Sequence, residues 1–433
     1  MPATRQTGFR PPDVDMSLFR KETTSRNKEG KNQHDCPPID DPAVFNALWE
    51  IHRTGETNKA NIKGILKSKY GIELSESSIT RRKKAYGILG SGATTRTLPE
   101  TEKRQLIFDQ MAKDPSRMQG PRTIKEGIAF DQGVHLTRDY IHETMKMQDP
   151  EAFADRHPRA KKIHRTQLVA LGPNDEWSGD GHDKLTGIGF PIWGVRDVWS
   201  GKWLGLYVLP NNRLKLAIAY VWLKIVKEQG GVPIQMTTDC GSETGRVYGL
   251  ATALREEYRP ELDVNELPAH KFLKSIFNIT IERGWLRLRL QWGENVKLFW
   301  EAGATIYNPT DLKQYMLVQW LWSTLIQSEL DHLLERLNNH KVRKDKEKKN
   351  PSGARPDHAF ACPEQFGGQS GLLKPVDLDV IDALMEELGG EELIQFVSPE
   401  YAARAKSVFD SLGVSQLTME NVWNIFSAML PLM

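Results

Sequence analysis

Three acidic residues in separate segments form the pattern that best suggests chemistry. Asp180 and Asp239 lie at the predicted ends of strands, and Glu282 lies within a helix-length apolar segment. On an α-helix Ser275, Asn278 and Glu282 share one side, because three and then four residues separate them. Carboxylate oxygens are the ligands that hard divalent cations prefer. Two strand carboxylates and one helix carboxylate therefore predict a site for two divalent metal ions.

The residues around these acids predict alternating strands and helices. Residues 188–198 and 203–209 are aromatic and β-branched runs joined by Ser200-Gly201-Lys202, which predicts an antiparallel hairpin. A helix is predicted at 214–228, and a strand at 232–238 leads into Asp239, at the strand end where active groups of open α/β sheets usually lie. Three strands, a helix and a fourth strand, with acids on the first and fourth strands and on a later helix, follow the order of the ribonuclease-H-like fold.

Several residues near the acids also have a structural explanation. Asp175 or Asp183 is the alternative to Asp180 as a metal ligand, and Asp197 is predicted to stabilise a turn. Glu243 is either a helix cap or a neighbour of the ligands. Ser275 and Asn278 either hydrogen-bond to the ligands or are ordinary polar helix residues. The residues assigned to the core rather than to base stacking or metal binding are Trp193, Trp199, Trp203 and Cys240.

The composition is that of a soluble globular protein with two or three domains. The 433 residues are 39% hydrophobic and 26% charged, and no apolar run is long enough to span a membrane. Cys36, Cys240 and Cys362 form no CxxC pair, so neither a disulfide framework nor a zinc finger is predicted, and a reducing compartment fits best. Residues 1–40 are polar and lack the apolar region of a signal peptide, which predicts a disordered leader.

An internal repeat predicts two helix-turn-helix units, at 41–90 and 96–150. Gly71 and Ser75 recur as Gly133 and Thr137. The glycine is suited to end one helix in the left-handed conformation, and the Ser or Thr is suited to cap the next helix. The apolar positions repeat at the same offset, with Ile62 and Ile79 matching Ile124 and Ile141.

The second helix of each unit is predicted to contact DNA. The first unit places a dense basic run on residues 76–86, and the second, on residues 138–147, is less basic. The charge is unevenly divided, since residues 1–170 carry roughly +8 and the remainder roughly −6. That division suits an N-terminal module that neutralises phosphates. A solvated basic helix face is the alternative. The predicted DNA-binding residues here are Arg81, Arg82, Lys83, Lys84 and Arg138.

The rest of the chain is predicted to surround a catalytic core at 171–340. A basic linker is expected at 151–170, and residues 311–337 form one or two amphipathic helices beside the core. Residues 341–372 are predicted to be an exposed basic loop in which Lys341 and Arg343 either touch DNA or are solvated. Residues 373–433 are predicted to be a helical tail with breaks at Gly389-Gly390 and Gly413.

These motifs together resemble a known catalytic domain. Asp180, then Asp239 with Gly241 and Glu243, then the series Ser275, Asn278, Glu282 and Trp285, are similar to the integrase catalytic core of DDE transposases and retroviral-type integrases. The resemblance is greatest to the integrase-core-domain proteins of fungal genomes and runs from about Trp177 to beyond Trp300. The 43 residues from Asp239 to Glu282 exceed the retroviral interval, and the retroviral His/Cys zinc module is missing.

The resemblance implies an α/β, ribonuclease-H-like core, with a mixed five-stranded sheet and flanking helices, between tandem all-α helix-turn-helix modules and a helical C-terminal region. It implies metal-dependent cleavage and transfer of DNA strands, with Asp180, Asp239 and Glu282 holding two Mg²⁺ or Mn²⁺ ions. The expected partners are double-stranded DNA and further copies of the chain bound to that DNA. No association with a membrane is expected, and the expected location is the nucleus. A catalytically silent DNA-binding protein, or a ribonuclease-H-like nuclease without strand transfer, stays open as an alternative.

Overall fold

The computed structural model describes residues 11–12, 14–19, 37–115, 118–148, 170–239, 241–263, 266–273 and 278–433. The predicted basic linker lies outside these residues except for residue 170, and of the predicted leader only residues 11–12, 14–19 and 37–40 are described. Ser275, Cys36 and Cys240 lie outside them as well, so their predicted roles are not tested. No helix within the described residues is long and apolar enough to cross a membrane.

The repeated turn between two helices is present in both copies. Gly71 and Gly133, both at φ 66°, end the first helix of each unit, and the Ser75 side chain caps the next helix by accepting from the amide of Ser78 at 3.2 Å. The matching Ile79 and Ile141 are fully buried in the two cores. The helices are α1 (Pro42–Arg53), α2 (Lys59–Tyr70), α3 (Glu76–Ala85), α4 (Ser91–Thr97), α5 (Glu100–Ala112), α6 (Pro121–Gln132) and α7 (Arg138–Gln148).

The catalytic region is built on a mixed five-stranded sheet with the order β3-β2-β1-β5-β6. β1, β2 and β3 are antiparallel, as the predicted hairpin requires, whereas β5 and β6 run parallel to β1. The predicted strand at 232–238 is divided, because Pro233 has no amide to donate to a ladder. The elements are β1 (Glu176–His182), β2 (Ile192–Asp197), β3 (Trp203–Val208), α8 (Lys215–Gln229), β4 (Gly231–Val232), β5 (Gln235–Asp239), α9 (Gly245–Tyr258) and β6 (His270–Leu273).

Helices cover both faces of this sheet. One face packs against α10 (Ile279–Leu288), α12 (Leu312–Asn339) and α16 (Val422–Met429) around Trp285, Leu321 and Phe426. The other face packs against α8, α9 and α14 (Leu378–Leu388) around Trp222 and Ile381. β7 pairs with β4, so the C-terminal residues belong to the core packing rather than to a separate tail. The remaining elements are α10 (Ile279–Leu288), a π-helical turn (Arg289–Gly293), α11 (Glu294–Glu301), α12 (Leu312–Asn339), α13 (Pro356–Ala361), β7 (Lys374–Pro375), α14 (Leu378–Leu388), α15 (Pro399–Ser411) and α16 (Val422–Met429).

Two amides of α12 pair with the outer edge of β3. Gln327 donates to the carbonyl of Leu206 at 3.0 Å and accepts from the amide of Val208 at 3.0 Å. Asn338 forms the same two bonds with the backbone of Trp203, at 2.8 and 2.7 Å. Because unpaired edge groups invite other strands to pair with them, this long helix both packs on the sheet and closes its edge.

The predicted exposed loop at 341–372 is exposed in its first part and again over much of 364–371, but a buried helix interrupts it. Residues 343–349 are exposed, but Ala359 and His358 of α13 are buried. α13 is buried because it lies between the helix-turn-helix region and the core, with Asp357 ion-paired to Lys69 of α2 at 3.1 Å and to Lys202 at 2.8 Å. The prediction of exposure was wrong here, since the charges of this segment are used in contacts within the chain.

Candidate active site

Asp180 and Asp239 lie side by side at one edge of the parallel strand pair. β1 and β5 pair from Glu176 to Ser178, with Ser178 opposite Thr237, and each acid follows two residues later. Asp180 is therefore the fifth residue of the seven-residue β1 and not a strand-end residue as predicted, because the antiparallel ladder with β2 continues to His182. Asp239 is the last residue of β5. Both acids nevertheless lie just beyond the point where the parallel pairing stops.

Glu282 lies in the first turn of α10, which is fixed to β1 at two points. Asn278, buried and immediately before the helix, accepts a hydrogen bond from the hydroxyl of Ser178. One turn beyond Glu282, the Trp285 indole N–H donates to Asp180 Oδ2 at 2.9 Å. The predicted helical face shared by Asn278 and Glu282 is not observed, because Asn278 precedes the helix and joins it to β1; Ser275 lies outside the described residues.

The ring of Trp285 is held between two other rings. It stacks on His182 at a centroid distance of 4.9 Å and lies 4.7 Å from the ring centroid of Trp203. Burial, followed by the charges of Lys184 and Arg289, lowers the pKa of His182 to about 4, so this ring is neutral at physiological pH. The sequence did not indicate that Trp285 positions Asp180, although its spacing of three residues from Glu282 places it one helical turn away.

The charges of the other two acids affect the pKa of Asp180. Burial raises its pKa first, and the negative charge of Asp239 raises it further, to about 7. Glu282 adds a smaller effect of the same sign, whereas the hydrogen bonds from Trp285 and Gly181 act in the opposite direction. The negative charges of Asp239 and Glu282 therefore both act on Asp180, and like charges favour its protonation.

The carboxylate oxygens of Asp180, Asp239 and Glu282 are of a type that suits a divalent cation, although the three side chains are not drawn closely together. Among the described residues, no three His, Cys, Asp or Glu side chains are grouped closely enough to hold a metal ion as they stand. Asp180 uses one oxygen on Trp285 and the other on the amide of Gly181 at 2.8 Å. Glu282 is exposed on α10. Oxygen ligands of this type fit Mg²⁺ or Mn²⁺, and a cation would relieve the repulsion that raises the pKa of Asp180.

The other acids near the site have structural partners. Asp183 bonds to Arg213 and to Asn212 at 2.8 Å, and Asp175 accepts from the amide of Leu171 at 2.8 Å. Asp197 is fully buried and accepts from Ser200 and from the amide of Asn174 at 2.8 Å, so its predicted turn role is confirmed. Glu243 precedes α9 and lies 3.8 Å from Arg213. The structure thus favours Asp180 over Asp175 and Asp183 as the third member of the acidic group.

The residues predicted to contact DNA differ in accessibility. Arg82 is buried and donates to the carbonyls of Pro37 and Pro38, so it stabilises the first helix-turn-helix unit from within. Lys83 is half-buried, and burial lowers its pKa. The others are exposed: Arg81, Lys84, Arg138, Lys341 and Arg343.

Comparison with known proteins agrees with this geometry. No curated protein sequence matches the chain. Residues 168–353 match a family model described as an integrase core domain, and that interval contains all five strands of the sheet and all three crowded acids. Residues 168–353 are an integrase core domain with a ribonuclease-H-like fold, the catalytic core of retroviral-type integrases and transposases and a domain of the polynucleotidyl transferase type.

Proposed function

We propose that this chain cleaves DNA strands and transfers them, using Asp180, Asp239 and Glu282. The observation that carries the proposal is the position of Asp180, which is half-buried and whose pKa the charges of Asp239 and Glu282 raise. Two of these acids lie at equivalent places in a parallel strand pair, and the third lies on a helix fixed to one of those strands. Placing these like-charged carboxylates near one another lowers the stability of the fold, which is common where the charges have a function.

Asp180 and Asp239 would hold the cations, and Glu282 would complete the ligand set from α10. When bound, two divalent ions supply charge stabilisation to both the attacking and the leaving oxygen of a phosphodiester. The Trp285 N–H fixes one oxygen of Asp180, and the bond from Ser178 to Asn278 fixes the start of the helix that carries Glu282. Asp180 acts as a ligand in its ionised form, because a protonated carboxyl binds cations poorly.

Recognition of DNA is proposed for the helix-turn-helix modules. Arg81 and Lys84 lie exposed on α3, and Arg138 lies exposed at the start of α7. Lys341 and Arg343 would add contacts from the exposed part of the following loop. We further propose that the chain acts on double-stranded DNA in the nucleus as a homo-oligomer, in keeping with the integrase-type core.

The decisive experiment measures nicking and strand transfer on duplex DNA with Mg²⁺ or Mn²⁺. Asp239→Asn removes a ligand but no phosphate contact, so nicking should fall by at least about 100-fold, with DNA affinity nearly unchanged. Asp183→Asn is the matched control, because Asp183 is paired with Arg213 and should not be needed. Nicking at the wild-type rate by Asp239→Asn would refute the assignment. Wild-type binding without nicking would favour a silent DNA-binding protein, and nicking without joining would favour a nuclease.

A further inference from the structure

Arg196 of β2 lies beneath the helix that carries Glu282. In the β1–β2 ladder Arg196 is opposite Ser178, whose hydroxyl bonds to the residue just before α10. Asp180 follows two residues later in β1 and therefore lies on the same face of the sheet. The pairing of β2 with β3 is irregular between Val195 and Arg196. Irregular pairing of this kind redirects a side chain and is common beside active sites.

The guanidinium of Arg196 joins two backbone carbonyls from different elements. Nη1 donates to the carbonyl oxygen of Thr280, in the first turn of α10. Nε donates at 3.1 Å to the carbonyl oxygen of Gly201, in the turn between β2 and β3, and Nη2 donates to the same oxygen. A planar fork can span two acceptors in this way, whereas a lysine ammonium is a single point of charge. Arg196 therefore ties the start of α10 to the end of the hairpin.

Two tryptophan rings also connect Arg196 to Asp180. The guanidinium carbon lies 5.0 Å from the ring centroid of Trp203, and the ring of Trp203 lies 4.7 Å from that of Trp285. The Trp285 N–H donates to Asp180 Oδ2 at 2.9 Å. Arg196 thus contacts both the backbone two residues before Glu282 and the ring on which Trp285 packs.

Gly284 allows α10 to lie this close to the sheet. A Cβ on Gly284 would lie 2.7 Å from Arg196 Nη1 and 2.6 Å from Trp203 Cζ2, closer than Cβ atoms approach other atoms in proteins. Glycine is less favourable than alanine inside a helix, so helix propensity does not account for its presence here. Close contact among Gly284, Arg196 and Trp203 therefore sets the depth at which α10 packs.

We propose that Arg196 is a positioning residue that fixes Glu282 and Trp285 relative to Asp180. This inference rests on the proposed function. Glu282 is exposed, so its distance from the other two acids depends on where α10 lies on the sheet. Misplacing a catalytic group by about 1 Å can lower a rate about 100-fold. Loss of the Arg196 contacts should therefore weaken the binding of divalent cations and slow cleavage, without changing the affinity for DNA.

The test compares Arg196→Lys with Arg255→Lys in the full chain. Arg255 of α9 is buried on the other face of the sheet, and it too donates to two backbone carbonyls, those of Ile234 and Leu267. Both changes keep the charge and remove bonds of the same kind, so both should lower the Tm.

The two variants should differ in metal binding. For Arg196→Lys the Mn²⁺ concentration at half-maximal binding, measured from the EPR signal of the free ion, should rise at least about 10-fold, and the nicking rate should fall at least about 10-fold. For Arg255→Lys both quantities should stay within about two-fold of the wild type, because this residue lies outside the packing of α10. The Kd for duplex DNA should be unchanged in both.

Gly284→Ala perturbs the same contact from the helix side and keeps the guanidinium. It should also weaken Mn²⁺ binding, and it decides the question if Arg196→Lys does not fold. Failure of both variants to fold would overturn the inference, because the contact would then serve the fold rather than the position of Glu282. Wild-type Mn²⁺ binding in folded Arg196→Lys, or an equal loss in Arg255→Lys, would also overturn it. A wild-type chain that does not nick DNA would instead overturn the proposed function, and the Mn²⁺ comparison would still test the role of Arg196.

Discussion

Replacing Asp180 by Asn should stabilise the protein when divalent cations are removed. Burial and the charge of Asp239 raise the pKa of Asp180 from 3.8 to about 7. Each pH unit is worth about 1.4 kcal/mol, so the ionised carboxylate costs up to about 4 kcal/mol in the folded protein. Asn is neutral and still accepts from Trp285, but it cannot accept from Gly181 as well, which offsets about 1 kcal/mol. A net gain of about 2–3 kcal/mol is expected at pH 8.

The pH dependence has a definite sign. Because the pKa of Asp180 is higher in the folded state, its protonation contributes to stability. This contribution is fully present below pH 3.8 and is lost as the pH rises through about 7. The advantage of Asp180→Asn should therefore shrink as the pH falls from about 8 to about 5. Thermal unfolding in EDTA at both pH values measures this, and each kcal/mol corresponds to a few degrees of Tm in a chain of this size.

Asp183→Asn is the control for the loss of a carboxylate. Burial raises the pKa of Asp183, but the hydrogen bond from Asn212 and the charge of Arg213 outweigh it and hold this pKa below its usual value. This half-exposed pair should contribute at most about 1 kcal/mol, and its loss should destabilise slightly. Saturating Mg²⁺ should raise the Tm of the wild type but not of Asp180→Asn. Equal Tm values for wild type and Asp180→Asn in EDTA at pH 8 would show that the acids do not crowd one another.

Four further variants test DNA binding and stability separately. Replacing Arg81 and Lys84 by Ala should lower the slope of log Kd for DNA against log salt by about two, with the Tm unchanged. Arg82→Ala should instead lower the free energy of unfolding by about 1–3 kcal/mol, because the carbonyls of Pro37 and Pro38 lose their hydrogen-bond donor. Gln327→Leu and Asn338→Leu should each cost about 1–3 kcal/mol in urea unfolding by exposing unpaired groups of β3, and unchanged midpoints would mean that water replaces the amides.

The features predicted correctly from the sequence are mostly local. A left-handed Gly71 followed by a capping Ser75 specifies a turn between two helices within five residues, and the repeat at Gly133 reports the same turn. The hairpin around Gly201 and the end of β5 at Asp239 follow from similar short-range signals. Such signals are reliable because neighbouring residues decide the backbone conformation there.

The features missed depend on partners far away in the chain. The start of α10 at Ile279 depends on a bond between Asn278 and Ser178, 100 residues apart. The burial of Arg82 depends on carbonyls 44 and 45 residues earlier. A basic residue on a predicted helix looks the same in the sequence whether its partner is a phosphate or a backbone oxygen, so only the fold distinguishes the two.

Ion pairs of low exposure fix the first N-terminal helical unit to the integrase core domain and its neighbour α13. Arg53 of α1 bonds to Glu335 of α12 at 3.0 Å, and Glu56 bonds to Arg355 at 2.7 Å. Separating such a pair leaves a charge with little solvent, which typically costs about 3–5 kcal/mol for buried pairs. α12 is also the helix that closes the edge of β3. The helix that receives Arg53 of the first unit therefore also supports the edge of the sheet on which the acids lie.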